Sequence, residues 1–210
     1  MKVVNQSYQI LTTLDDRTIP IILRGIEEAG RTAYKSIQTD DLTRTKLFIQ
    51  QLIESAHESV LEHGYMTVKF ITDRGVTHEL VRHRLASYTQ ESTRFCNYSK
   101  GKFGNQVTFV APTFVTDRPN EKVFQTWKKS CEDAEKRYFE LLDSGCLPQD
   151  ARSVLPTCVK AEIVVTANWR EWRHILKLRT ASDAHPQMRA LMTPLLEELK
   201  ENLGCLFDDI

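Results

Sequence analysis

Apolar residues recur along this chain with two periods. Met66, Val68 and Phe70 alternate with Thr67 and Lys69 through residues 65–72. Val159, Ala161, Ile163 and Val165 alternate with Lys160, Glu162 and Thr166 through 158–167. A period of two marks half-buried strands. Elsewhere the period is helical. Ile22, Ile26, Ala29 and Ala33 follow Pro20, which suits a helix start. Leu42, Ile49, Leu52, Ile53 and Ala56 share one face of a predicted helix over 41–56. Val123, Trp127, Cys131, Ala134, Tyr138 and Leu141 share the face of the longest, over 120–143, with Gly145 beyond its end.

Local signals fill in the rest. Asp73 is placed to cap a helix running through Val76 and Leu80 to Arg84, and the polar residues after Ser87 read as a loop. Residues 2–13 predict an extended edge, and 107–110 a short strand ahead of Pro112. Pro148 opens a short helix broken at Pro156. Asn168 and Glu171 have the spacing of a capping box. A last helix spans roughly 186–206, kinked near Pro194. Helices outnumber strands, which predicts an α+β fold, and no linker or repeat divides residues 1–210, which predicts a single domain.

Twenty-eight basic residues balance 28 acidic ones, so no global field draws the chain to nucleic acid or a membrane surface. Locally the balance breaks. Arg74, Arg82, Arg84, Arg94, Lys100 and Lys102 face only Glu79 and Glu91 within 74–102. Residues 168–190 hold five Lys or Arg against Glu171 and Asp183. Two basic segments in a neutral chain predict one composite anion site, assembled by folding or by subunit contact. The five cysteines are odd in number and lack a C-x-x-C pair, which predicts neither a disulfide framework nor a zinc site, and no metal is expected. Polar residues interrupt the first positions before a signal-like apolar core forms. No apolar run approaches the roughly 20 residues of a membrane span. A reduced, cytoplasmic protein is expected.

Arg82, His83, Arg84 and Arg94 crowd thirteen residues with Ser87, Ser92, Thr93, Gln90 and Glu91. Arginine grips phosphate through a planar fork and keeps its charge, so the segment predicts a nucleotide-phosphate site. Arg179 stands out for its angle. At about 100° per residue it falls within the apolar stripe of Trp172, Ile175 and Leu176. A cation buried without a partner costs several kcal/mol, so Arg179 is expected to meet a carboxylate or a polar or anionic ligand.

The spacing R-H-R-x-x-S-x-x-x-x-S-x-R over Arg82–Arg94 is similar to the signature of the flavin-dependent thymidylate synthases, the ThyX family. Thr89 and Gln90 stand where that family commonly has Asn-Glu, and Phe95 where it has Tyr. Three further strings fall in family order. His57-Glu58-Ser59-Val60-Leu61-Glu62-His63 resembles H-E-(S/T)-x-x-E-H. Ala151-Arg152-Ser153-Val154-Leu155-Pro156 resembles A-R-x-x-L-P. Asn168 through Arg179 resembles N-x-R-x-x-x-(N/H)-x-x-x-x-R.

The resemblance implies a ThyX-like fold, with a small, mostly antiparallel sheet packed against several helices. It implies reductive methylation of dUMP to dTMP, with 5,10-methylenetetrahydrofolate as carbon donor, FAD as cofactor and NADPH as reductant. Arg179 would activate the uracil ring. Glu79, Arg82, Gln90, Glu91, Ser92, Thr93, Arg94 and Arg152 would bind the nucleotide with it. Ser59, Arg82, His83, Arg84, Gln90, Asn168, Trp169, Arg170 and His174 would bind FAD, and His57 would lie near the folate. The family's homotetramer, with active sites at subunit interfaces, is the expected assembly. A pyrimidine hydroxymethylase using the same cofactors is the alternative within this chemistry, kept open by Gln90. A non-catalytic nucleotide- or nucleic-acid-binding protein is the alternative outside it, and the neutral charge and lack of a basic, aromatic-interleaved stripe argue against nucleic acid.

Overall fold

The computed structural model describes residues 1–101, 104–116 and 120–210; Lys102 of the first basic segment lies outside them. The chain falls into two compact units, each assembled from separate stretches. One comprises Met1–Ser7, Phe70–Arg82 and Thr89–Val164, and the other Tyr8–Lys69, His83–Tyr88 and Val165–Ile210. No helix among the described residues is long and apolar enough to cross a membrane.

In the first unit, β1 (Lys2–Val4) pairs in parallel with β5 (Thr108–Val110), Lys2 opposite Thr108 and Val4 opposite Val110. Around them lie α3 (Arg74–Leu80), α4 (Thr113–Thr116), α5 (Glu121–Asp143) and α6 (Pro148–Ala151), the last running into a 3-10 turn at Arg152–Val154. Asp73 caps α3 by accepting from Val76 N–H at 2.7 Å, as its position predicts. Tyr98, Phe109, Cys131, Tyr138, Ala151 and Val159 form the core. Cys131 and Cys158 are both free thiols, 3.6 Å apart at its edge.

The second unit holds α1 (Thr18–Tyr34), α2 (Leu42–Glu54), a 3-10 turn at Glu58–His63, α7 (Trp169–Thr180) and α8 (Pro186–Phe207). Trp169, Trp172, Ile175 and Leu176 of α7 are buried with Met188, Leu195 and Leu199 of α8. Trp172 satisfies its indole by donating to the Met66 carbonyl at 2.9 Å.

A four-stranded sheet has the order β2-β3-β6-β4, formed by Ser7–Ile10, Tyr65–Asp73, Lys160–Asn168 and Ala86–Gln90. Its small, antiparallel character matches expectation. In β3 and β6, the Thr67 and Thr166 hydroxyls meet at 2.9 Å, and Trp169 N–H donates to Gly64 O. Met66, Val68, Phe70, Ala161, Ile163 and Val165 are buried on the faces that the alternation predicts.

Several boundaries move for physical reasons. The predicted extended edge divides into β1 and β2, which join different sheets. Helix α1 begins at Thr18 because Asp15 accepts from the Arg17 and Thr18 N–H groups, while the Thr18 hydroxyl accepts from Asp15 N–H. Pro20 then sits in the first turn, where its missing N–H goes unneeded. The buried face of α1 is Leu23, Ile26, Glu27 and Gly30 rather than the Ile22–Ala33 stripe. Gly30 explains the rotation: a Cβ there would lie 2.9 Å from both Leu52 and Phe48 of α2. Helix α3 stops at Leu80 instead of reaching Arg84, and Ala86–Gln90 is a strand instead of a loop. The free edge of β6 offers pairing that a loop lacks, and β-forming Tyr88 favours it; Glu91 N–H reaches Glu162 O at 2.8 Å. In α8 the non-helical residue is Leu203, just before Gly204, and not the neighbourhood of Pro194.

Candidate active site

In the first unit, Thr93 is the centre of a group of arginines. It is 5% exposed, and its hydroxyl accepts from Arg152 at 2.8 Å and from Arg74 at 3.3 Å. Gln149 on α6 adds two more acceptors. Its side-chain oxygen takes Arg94 Nε at 3.1 Å, and its carbonyl takes Arg152 Nε at 3.1 Å. Thus Arg74, Arg94 and Arg152 are oriented by hydroxyl, amide and carbonyl oxygens, none of which cancels their charge. Arg74, His78, Thr93 and Arg152 line a cavity of about 360 Å³, and among the described residues its lining includes no carboxylate. Positive charge concentrated against neutral acceptors makes a site for an anion.

The strand-forming end of the motif closes this region. Gln90 donates to the Thr77 hydroxyl at 2.9 Å, tying β4 to α3. Glu91 turns to Lys160, 3.1 Å away, which also meets Glu162 at 2.6 Å. That ion pair matches the charge of the Glu91 carboxylate within the protein. The Ser92 hydroxyl accepts from Arg94 N–H at 3.3 Å and so shapes the turn carrying the arginine. Glu79 is half-buried on α3, and Arg82 is exposed after its end.

The second unit holds a different arrangement. His83 is 5% exposed, and its Nε2 lies 2.9 Å from Arg179 Nε. Arginine can only donate, so Nε2 carries the lone pair and the ring proton sits on Nδ1. Nδ1 is 3.7 Å from a carboxylate oxygen of buried Glu171. The His174 ring stands edge-on at 5.6 Å. Burial, the Arg179 charge and His174 together push His83 down from 6.5 to about 4, so the imidazole is neutral near pH 7. Burial also raises Glu171, with His174 opposing. Tyr88 fixes the turn itself, donating its phenol to the His83 carbonyl at 2.6 Å; its own pKa is pushed up to about 12, chiefly by burial.

A buried imidazole is therefore one partner of Arg179, a polar group of the kind its position predicts. The nitrogens of His83, expected at the flavin, face Glu171 and Arg179. The donor atoms of His83, Glu171 and His174 lie within 4.8 Å of one another, a set with metal-binding chemistry. Arg179 brings a positive charge onto the same imidazole and opposes a cation there.

A cavity of about 670 Å³ in this unit is lined by Tyr65, Leu85, Asn168, Arg170, His174 and Lys177, among others. Asn168 caps α7 by accepting from Glu171 N–H at 2.8 Å. Arg170 is ion-paired with Glu62 at 2.6 Å and Glu58 at 3.4 Å. Trp169, expected to touch a cofactor, is fully buried in the core, and a Cβ on Gly64 would lie 2.5 Å from its indole nitrogen. A separate cavity of about 480 Å³ is lined by Tyr34, His57 and Ser59, where the Tyr34 hydroxyl and His57 Nδ1 are 2.6 Å apart. Arg84 is exposed.

Thr93, Arg94 and Arg152 are thus brought together, and so are His83, His174 and Arg179. Sequence reasoning missed Gln149 and Tyr34 outright. Tyr88 stood inside the motif, and its β-forming side chain was the available signal. Arg74 was visible only as part of a basic segment.

Residues 20–203 match the family described as thymidylate synthase complementing protein. A flavin-dependent thymidylate synthase of Pyrococcus abyssi is 34% identical over 174 residues, spanning 82% of this chain and 68% of its own. One of Geobacter sulfurreducens is 35% identical over 191 residues, spanning 86% and 78%. One of Thermococcus onnurineus is 35% identical over 158 residues, spanning 75% and 63%. In fold, the chain is similar to a UMP/dUMP methylase, PolB, of Streptomyces cacaoi, solved with 5-Br dUMP. The TM-score is 0.80 at 22% identity, over 99% of this chain and 96% of that one.

Proposed function

This chain belongs to the thymidylate synthase complementing protein family, and on that premise we propose that it is a flavin-dependent thymidylate synthase, converting dUMP to dTMP with FAD as cofactor. The carbon comes from 5,10-methylenetetrahydrofolate. The observation that carries the reading is a guanidinium, that of Arg179, held by a neutral imidazole at 2.9 Å. Its charge is positioned without being neutralised by that partner.

Methylation at C5 of uracil needs that carbon to become nucleophilic and to lose its proton. Negative charge then develops on N3 and the adjoining carbonyl oxygens. Arg179 stabilises that charge more in the transition state than in the ground state, which is the condition for catalysis. Arg94 and Arg152 hold the nucleotide phosphate, and Thr93 and Ser92 set their geometry.

The donor set along the 670 Å³ cavity fits FAD. His174, Lys177 and Asn168 supply polar contacts and Tyr65 and Leu85 apolar surface, while Glu58 and Glu62, which also line it, are paired with Arg170. When bound and reduced by NADPH, FAD supplies the hydride that completes the methyl group. Exposed Arg82 and Arg84 are assigned to its phosphates, Ser59 to its edge, and His57 to the folate side. The exposure of Leu85 (76%) and Phe95 (77%) within the motif supports a homotetramer that covers them at subunit interfaces.

The test is anaerobic. Protein, FAD, NADPH, dUMP and methylenetetrahydrofolate are mixed, and flavin absorbance and nucleotide mass are followed together. Flavin bleaching, reoxidation and dTMP are the expected result. A product heavier than dTMP by one oxygen would identify the hydroxymethylase instead, and neither flavin binding nor product would sink the reading.

A further inference from the structure

We propose that His83 is a positioning residue for Arg179: a neutral acceptor that aims the guanidinium without itself cancelling the charge, with Glu171 holding the imidazole in the required tautomer. The proposal rests on the thymidylate synthase reading for its catalytic consequence, but its geometry can be tested without turnover.

Three observations carry it. First, both nitrogens of the ring are directed at protein groups, Nε2 to Arg179 at 2.9 Å and Nδ1 to Glu171 at 3.7 Å. A histidine that bound a ligand through its nitrogens would turn one of them to a cavity. Second, His83 is held from behind. Its carbonyl accepts the Tyr88 phenol at 2.6 Å, and its ring packs edge-on against His174. Third, the contrast with Arg173 on the same helix is chemical. Arg173 is bound by both carboxylate oxygens of Asp209 at 2.6 Å, with Glu58 a further 3.8 Å from its Nε. A carboxylate in the place of His83 on Arg179 Nε would add negative charge against the field that Arg179 presents to a developing anion. An imidazole with its proton on Nδ1 gives the same directional bond and no negative charge.

Glu171 has a defined part. Nδ1–H points positive charge density toward a carboxylate, which favours the tautomer with Nε2 unprotonated. Titratable groups facing His83 among the described residues include Glu171, His174 and Arg179 of α7, with the phenol of Tyr88 of β4 on its carbonyl. Two of them, Arg179 and His174, oppose protonation of the ring.

Two measurements test the assignment. The first is 15N NMR of histidine-labelled protein without nucleotide. The His83 signals are expected to show protonated Nδ1 and unprotonated Nε2 at pH 7; a proton on Nε2 would overturn the proposal whether or not the protein is a synthase. The second compares His83→Leu with His83→Gln, whose side-chain oxygen can accept from Arg179. At saturating dUMP, His83→Leu should lower kcat more than tenfold while flavin binding changes less than threefold. His83→Gln should recover kcat to within about threefold of the unaltered enzyme. Equal kcat in His83→Leu, or no recovery in a folded, flavin-binding His83→Gln, would refute the positioning role. Failure of the unaltered protein to make dTMP would instead strike the functional reading and leave the tautomer result standing. Should His83→Leu not fold, the NMR measurement and the His83→Gln value still decide.

Discussion

The two units treat arginine in similar ways for different ends. In the first, Arg74, Arg94 and Arg152 converge on Thr93 and Gln149, and their charges add. In the second, a single arginine rests on a buried imidazole, with a carboxylate one step further back. The acceptors in these bonds are neutral, whereas Arg170 and Arg173 are both carboxylate-paired. Binding a phosphate asks for summed charge from several directions. Stabilising one transient charge asks for a single donor at a fixed place. The comparison teaches that a neutral oxygen or nitrogen can aim a guanidinium without adding negative charge of its own, whereas a carboxylate adds it.

The largest effect expected is on Arg179. Arg179→Ala should reduce kcat by about 10²–10³, the range for loss of one transition-state donor, with a smaller change in dUMP affinity. Rapid-quench assays at saturating nucleotide separate the two. If affinity fell as much as kcat, Arg179 would belong with the binding arginines and the contrast would dissolve. Next in size is Arg152→Ala, which removes a charged hydrogen-bond donor worth about 1.5–3 kcal/mol. KM for dUMP should rise roughly 10- to 150-fold with kcat nearly unchanged. A kcat effect larger than the KM effect would reverse the assignment.

How legible this was in the sequence differs between the units. Arg94 announced itself with Arg82 and Arg84, because three fixed charges in thirteen residues need an anion or counter-charges, whereas Arg74 and Arg152 lie outside that cluster. Thr93 and Gln149, which orient them, did not: a hydroxyl and an amide acquire that role only when folding buries one and turns the other. Arg179 was found by its angle on an apolar stripe, a local calculation that needs no tertiary knowledge. The imidazole on its Nε lies 96 positions away, and no periodicity relates His83 to it. The strand at Ala86–Gln90 was hidden for a related reason: five polar-biased residues become a strand only because β6 has a free edge beside them. Strands 65–73 and 160–168 were plain because their alternation records two different faces.

His83 also distinguishes the units through pH. Its pKa is about 4 in the folded protein against 6.5 ordinarily. Between those values the unfolded chain takes up a proton that the native one refuses. Stability should therefore be fully present above pH 6.5 and fall as pH drops toward 4. The loss is on the order of 3 kcal/mol for the gap of those two values. Denaturant titrations across pH 4–8 measure it, and His83→Gln should flatten the curve in that window. An unchanged slope in the variant would mean that another group refuses the proton.

The smallest effect is reserved for the structural arginine. Asp209 lies below the usual carboxylate range because it hydrogen-bonds Arg173, so its contribution is present at neutral pH and lost only as pH falls through that depressed value. The carboxylate is about half exposed, 54% by side chain, so solvent screens the pair and limits what its loss can cost. Asp209→Asn should lower stability by no more than about 1 kcal/mol and shift kcat less than twofold, read by thermal melts and steady-state assays. A large kcat loss with intact stability would place Arg173 among the working arginines despite its carboxylate. That outcome would break the comparison of the two units, since a carboxylate-paired guanidinium would then be doing the chemistry assigned to one held by a neutral acceptor.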